Sequence, residues 1–284
     1  MRASSAAILL ALLSASSSGA TDLYSVSRED AELRLIDRLT GATLSQKTLV
    51  LSPPAPIAGA WGLADDPLSQ DRLWVVLDVG DELSRRLGII DLTACTATEC
   101  PVVDRGNLGD RFEGLASLCD GELYGVTGEL GTSILANESL YRGLENCTPG
   151  TCSPILVQSL GNGDLGEAIA IAGYILFHAS GSATQEFERL DLTTLMLTDL
   201  GIDPQSPVTN FLQASAMTAD PTGTLLLAGQ DSLFELSYLG FMTLVGSALD
   251  HTINGLAFLD GPCPTIFADG FESHSTGRWS STAG

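Results

Sequence analysis

Short apolar runs alternate with turn-forming clusters along most of the chain. From Trp61 the runs read WGLAD, RLWVVLDV, RRLGIIDLT and CPVVDRG, and from Glu113 they read EGLASL, ELYGVTGE, ESLYRGLE and SPILVQSLG. From Glu167 come EAIAIA, YILFHAS, EFERLDLTT and LMLTDLGI, and from Ser215 come SAMTAD, TLLLAG, SLFELSYLG and FMTLVGSAL. Such runs, bounded by Gly, Asp, Pro and Thr, predict strands. ADPTGTL and LCDGEL predict tight hairpin turns. Beyond the first twenty residues no stretch sustains a 3.6-residue period, so helix content is expected to be low.

The four-run unit repeats. Gly62-Leu63-Ala64 recurs 52 residues later as Gly114-Leu115-Ala116, then as Ala168-Ile169-Ala170, Ala216-Met217-Thr218 and Gly255-Leu256-Ala257 at offsets of 54, 48 and 39. Self-similarity at this period is the signature of a solenoid or propeller. A fifth unit is divided between the ends of the chain. DLYSVSR, ELRLIDRLTG and KTLVLS supply its second, third and fourth strands near the N-terminus, and INGLAFLD supplies its first strand near the C-terminus. A shared unit of this kind closes a ring and removes an exposed sheet edge. The pattern therefore predicts an all-β fold, a closed five-bladed β-propeller whose N- and C-terminal strands share one blade. A sixth blade requires strands hidden in a loop.

Composition narrows the partners. The formal charge is −22, from 35 acidic and 13 basic residues, with Lys47 as the one lysine. Such a chain repels phosphate backbones and anionic lipid surfaces, so nucleic acid and membrane are not expected partners. The first twenty residues carry Arg2, an apolar stretch from Ala6 to Leu13, and Ser18 and Ala20 at the −3 and −1 places. They read as a secretory signal peptide cleaved between Ala20 and Thr21, too short to span a bilayer. The domain reading is a signal peptide at 1–20, a propeller at 21–262 and a tail at 263–284. The mature protein is expected to be an exported monomer without a membrane span, in the periplasm, outside the cell or on its surface.

Export makes the cysteines readable as disulfides. Cys95 and Cys100 form one C-x4-C pair and Cys147 and Cys152 another, again offset by 52 residues. Zinc is the competing reading, but zinc sites add histidine or closer cysteine spacing. Each pair is expected to staple a turn, worth roughly 2 kcal/mol at most. Cys119 and Cys263 remain and can bridge each other.

In a propeller the first strand of each blade lines the axis, where Gly and Ala let the sheets crowd together. The residues before the repeated step are Trp61, Glu113, Glu167, Ser215 and Asn254. They should ring one mouth of the channel, with Trp61 and Ser215 as ligand-binding positions. Glu113, Glu167 and Asn254 make an oxygen-rich set of the kind that calcium or magnesium prefers. The plain alternative is a water-filled polar channel whose carboxylates pair with arginines such as Arg111.

The stretch FEGLASLCDGELYGVTGE resembles the EGLA…G-x-LY…E pattern of secreted propellers of the esterase-like phytase and SdiA-regulated type. More loosely, the LYxV…LxxIDxxTG alternation resembles the SMP-30-like lactonases and NHL-type repeats. Lactonase-like relatives hold a channel calcium with Glu, Asn and Asp, and by this resemblance Glu113, Glu167 and Asn254 would stand in. No aspartate occupies an equivalent ring position here. The tail is similar to an I-F-x-D-G-F-E-S-G-D-T-S-x-W-S segment found on exported proteobacterial proteins. Phe267, Asp269, Gly270, Phe271, Glu272, Ser273, Thr276, Trp279 and Ser280 match, while His274 and Ser275 depart from it. Sorting or surface display is what that resemblance implies.

Motifs for other chemistry are missing. His178, His251 and His274 fall in different units without metal-ligand spacing, no G-x-S-x-G elbow occurs, and no Ser/His/Asp arrangement can be built from the sequence. The expected function is a binding module that takes a protein or small-molecule ligand at the channel mouth. The alternative is a divalent-metal-dependent hydrolase of lactonase or phosphoesterase type, using calcium.

Overall fold

The computed structural model describes residues 22–69, 71–80, 84–128, 135–136, 138–161, 166–181, 185–211, 213–229, 231–247 and 249–259. The expected signal peptide, Cys263 and the tail lie outside them. The strands follow the predicted runs. The N-terminal segment forms β1 (Leu23–Val26), β2 (Glu32–Ile36) and β3 (Thr43–Ser52). The next unit is β4 (Gly59–Asp65), β5 (Arg72–Asp78), β6 (Arg86–Asp91) and β7 (Glu99–Asn107). It is followed by β8 (Phe112–Ser117), β9 (Leu123–Thr127), β10 (Ser139–Arg142) and β11 (Ile155–Ser159). Then come β12 (Glu167–Ala172), β13 (Ile175–Ser180), β14 (Glu186–Asp191) and β15 (Met196–Asp199). The chain continues through β16 (Ala214–Ala219), β17 (Leu225–Gly229), β18 (Ser232–Leu236) and β19 (Met242–Ser247), and ends in β20 (Gly255–Phe258).

Within each unit the strands pair antiparallel in sequence order. The divided unit assembles as read: β20 pairs antiparallel with β1, placing Tyr24 opposite Ala257. One pairing departs from the sequence reading. The outer strands β3 and β7 pair in parallel, Thr48 opposite Glu99 through Ser52 opposite Val103, and merge two units into one eight-stranded sheet. At ten residues β3 is the longest strand, so it has edge to spare, and the parallel pairing covers backbone groups that would otherwise stand open.

The apolar runs lack clean polar alternation because both faces of each sheet are buried. Along β12, Ala168 and Ala170 join a cluster with Phe187 of their own unit and Met217 and Phe234 of the following one. Ile169 and Ile171 point the other way, into a cluster with Ala116 and Val126 of the preceding unit. Three further clusters fill the spaces between β1–β3 and β4–β7, between β4–β6 and β8–β10, and between β16–β18 and β20 with β1. The architecture is thus all-β and propeller-like, with its core in slabs between adjacent sheets.

Aspartates set the turns. Asp37, Asp91 and Asp191, each just after or ending the third strand of its unit, accept the backbone N–H two residues on, from Leu39, Thr93 and Thr193. Cys95–Cys100 and Cys147–Cys152 close the predicted staples, and Cys119 is also disulfide-bonded. These bridges fit an oxidising compartment. Among the described residues no helix is long and apolar enough to cross a membrane.

Candidate channel-mouth site

The first strands of the units, β4, β8, β12, β16 and β20, pack side by side, each against the next and β20 against β4. Glycine permits this approach. A Cβ on Gly62 would lie 2.8 Å from the Gly114 carbonyl carbon, and one on Gly255 would meet the Trp61 carbonyl oxygen. An axial cavity of about 20 Å³ lies between these strands, lined by Leu63, Leu115, Ile169, Met217 and Leu256 among others. At one end Ser117 donates to Asp65 at 2.6 Å. The strands run in the same sense, so Trp61, Glu113, Glu167, Ser215 and Asn254 lie toward the other end.

Three of these five meet around arginines that sequence reading did not single out. Arg85, just before β6, is 5% exposed. Its Nη1 donates to the Phe112 carbonyl at 2.6 Å and lies 3.9 Å from Glu113 Oε1. Its guanidinium stands 3.5 Å from the centroid of the Trp61 ring, and the exposed Arg28 stands 5.7 Å from the same ring. The Arg28 N–H donates to Asn254 Oδ1 at 3.0 Å, tying the start of β20 to this group. Arg86, the residue after Arg85, points the other way and pairs with Asp104 at 2.5 Å. Burial pushes the Glu113 carboxyl up to about 7; Glu167 adds to the rise, while Arg85, Arg28 and Arg111 oppose it. Burial also brings Arg85 down to about 10, helped by Arg111 and Arg28 and resisted by Glu113 and Asp78. The Glu113 side chain lies over Gly128, where a Cβ would strike its carboxylate.

Glu167 and Ser215 are drawn into their own sheets. Ser215 donates to the Ala228 carbonyl at 3.1 Å. Glu167 Oε2 faces His178 Nε2 at 2.5 Å, and its Oε1 accepts from Ser180 at 2.9 Å. His178 Nδ1 in turn faces Glu188 Oε1 at 2.9 Å, and that carboxylate also accepts the Gly161 N–H. The three residues lie on β12, β13 and β14 and are all buried. Carboxylates on both ring nitrogens make both of them donors, so the ring is an imidazolium. Burial alone would lower its pKa, but the two carboxylates win and raise it to about 9. Burial likewise favours neutral Glu188, yet its hydrogen bond from His178 holds its pKa below the usual value.

A second histidine makes a chain of different character. His251 Nδ1 lies 2.7 Å from Asp250 Oδ1, and His251 Nε2 lies 3.0 Å from Ser25 Oγ. The carboxylate requires a proton on Nδ1, so Nε2 accepts from the serine hydroxyl. Burial lowers the His251 pKa and keeps the ring neutral. This is the hydrogen-bond order of a nucleophile, base and orienting acid. Ser25, however, is fully buried on β1, so the chain fastens the seam between β1 and β20.

The oxygens expected to hold a cation are engaged within the protein: both of Glu167, and Oδ1 of Asn254. Glu113 faces a guanidinium group. Among the described residues no three His, Cys, Asp or Glu side chains converge as a ligand set. As arranged, these residues do not fit the six to eight oxygens that calcium takes.

No protein-family model matches the sequence, and no curated protein matches it. Solved structures do resemble it. The major Malassezia sympodialis allergen Mala s 1 matches at TM-score 0.51 and 11% identity, over 80% of this chain and 76% of that one. A protein of unknown function from Bacteroides caccae matches at TM-score 0.50 and 8% identity, over 84% and 98%. A gluconolactonase from Xanthomonas campestris matches at TM-score 0.42 and 12% identity, over 82% and 87%. The chain spans about half the length of another match, a Bacteroides thetaiotaomicron protein of unknown function, covering 51% of it at TM-score 0.43. At these identities the likeness concerns the fold alone.

Proposed function

We propose that the protein is an exported, closed five-bladed propeller that binds a ligand at the mouth formed by Trp61, Arg28, Arg85 and Glu113. The observation that carries this reading is the buried guanidinium of Arg85 stacked on a half-exposed tryptophan beside a carboxyl whose pKa is lifted to about 7. Titratable groups perturbed by burial together with specific charge partners cluster at functional sites. The ring of first-strand contacts and the five interlayer clusters support closure. The proposal includes cleavage after Ala20, a propeller ending near residue 262, a sorting role for residues 263–284 and a monomeric state. A small-molecule fragment screen read by NMR on the mature chain tests the site. Shifts centred on Trp61 and its neighbours support it, and shifts confined to other surfaces refute it.

A calcium-dependent hydrolase is the second reading. The repulsion between Glu113 and Glu167 favours it, because a cation would relieve it. That reading requires Glu167 to exchange His178 for the metal.

A further inference from the structure

A cavity of about 510 Å³ opens in the β16–β19 unit, between the turn joining β16 to β17 and the turn joining β18 to β19. It lies at the end of these strands away from Ser215, and its volume takes a small organic ligand. Its aromatic wall is fixed in place. The Tyr238 ring stacks on Phe177, with 4.7 Å between centroids and 20° between planes. The Tyr238 hydroxyl lies over Gly223, which has a φ of +90° and no Cβ to block it. Ser237 Oγ accepts the N–H groups of Leu239 and Phe241 at 3.3 and 3.0 Å, and so holds the turn that carries Tyr238 and Phe241. The two aromatic side chains are still 39% and 41% exposed, so both offer apolar surface to a ligand.

The polar wall is made mainly of acceptors. Thr222 Oγ1 donates its one hydrogen to Asp220 Oδ1 at 2.7 Å. Thr224 Oγ1, 3.3 Å from Thr222 Oγ1, is therefore the donor of that pair. Both hydroxyls are left with lone pairs to offer. Glu235, opposite Thr243 across β18 and β19, is exposed and makes no hydrogen bond or ion pair with the described residues. Against these stand the hydrogen of Ser237 and the hydroxyls of Tyr238 and Thr243, which serve either way. None of the described residues lining the cavity is basic. Asp220 is paired with Arg38 at 3.1 Å, which leaves Glu235 as the uncompensated charge. We infer that this cavity takes an alkylammonium group. Its N–H donors meet Glu235 and the oxygens of Thr222 and Thr224, and its apolar body lies against Tyr238 and Phe241. Aromatic faces and a carboxylate both complement such a cation. A chain of charge −22 also draws cations from solution. The site is at the opposite end of the strands from the Trp61 mouth and does not depend on it.

The test records ¹H–¹⁵N spectra of the mature chain at neutral pH and constant ionic strength. The probes are benzylamine, a free amine, and Nα-acetyl-lysine methylamide, which presents the same group as a protein side chain does. Benzyl alcohol, tetramethylammonium and methyl glucoside serve for comparison. Expected are saturable shifts centred on residues 222–224 and 237–243 with at least one of the two amines. The affinity should fall at least about fivefold in Glu235→Gln, whose exposed side chain can change without disturbing the core. The tighter of the two amines tells a free amine from a protein lysine as the source. Benzyl alcohol lacks the charge and tetramethylammonium lacks the N–H donors, so each should bind at least about fivefold more weakly than that amine. No saturable shift at these residues with either amine, or an affinity unchanged in Glu235→Gln, overturns the inference. Equal binding of benzyl alcohol or tetramethylammonium overturns it as well, and binding of methyl glucoside alone makes the cavity a sugar site instead.

Discussion

Replacing His178 with glutamine removes the imidazolium between Glu167 and Glu188 and leaves two buried carboxylates without their shared cation. The magnitude follows from the linkage between titration and folding. The ring titrates near 6.5 in an unfolded chain and at about 9 in the fold. A shift of that size corresponds to about 3 kcal/mol of stability at 1.36 kcal/mol per pKa unit. Because the folded value is the higher one, this contribution is complete below pH 6.5 and disappears as pH rises through about 9. Urea denaturation of wild type and His178→Gln at closely spaced pH values between 6 and 10 measures it. The variant should be less stable by about 3 kcal/mol at pH 6, and the gap should narrow steadily toward pH 10. Subtracting the two curves removes the titrations of Glu113 and His251, which both proteins share. A gap below about 1 kcal/mol at pH 6, or one that does not change with pH, would show that the ring is not held as an imidazolium.

Other consequences are simpler to state. Gly62→Ala should cost about 2 kcal/mol or more, because the new methyl meets the Gly114 backbone rather than a flexible side chain; chemical denaturation reads it, and a neutral result would mean the first strands are not packed this closely. Ser25→Ala should cost about 1 kcal/mol, and wild-type Ser25 should resist a fluorophosphonate probe that labels serine hydrolases; stoichiometric labelling of Ser25 would make the seam a catalytic site. Cys95→Ser/Cys100→Ser should lose about 2 kcal/mol, as should the Cys147 and Cys152 pair, with the fold retained by circular dichroism; unfolding of either variant would give the staples a larger role than loop closure.

The four-strand unit was legible because each strand is a short apolar run between turn residues, and because Gly or Ala recurs where the first strands crowd together. The divided unit was legible from the missing first strand at one end and the surplus one at the other. The side-chain clusters were not. Glu167, His178 and Glu188 meet only through the register of two consecutive hairpins, which places His178 opposite both Ile169 and Glu188. The available signal was Glu167 and His178 set in largely apolar strands at a spacing that matches the first hairpin; Glu188 lies in the charged strand EFERLD and does not stand out. Arg85 could not be told from Arg86 without knowing where β6 begins. Ser25 and His251 are separated by 226 positions and meet only because the chain ends share a unit. The parallel pairing of β3 with β7 left no mark, since edge strands pair through backbone groups common to every residue.

The most direct test is thermal unfolding of the mature chain in EDTA and in excess calcium, with Glu113→Gln/Glu167→Gln beside it. A ligand bound only by the folded state adds about 2.7 kcal/mol at one hundred times its dissociation constant. The account predicts identical curves in EDTA and calcium, because the oxygens of Glu167 and Asn254 are already engaged within the protein. Stabilisation by calcium that disappears in the Glu113→Gln/Glu167→Gln variant would contradict it and make the mouth a metal site.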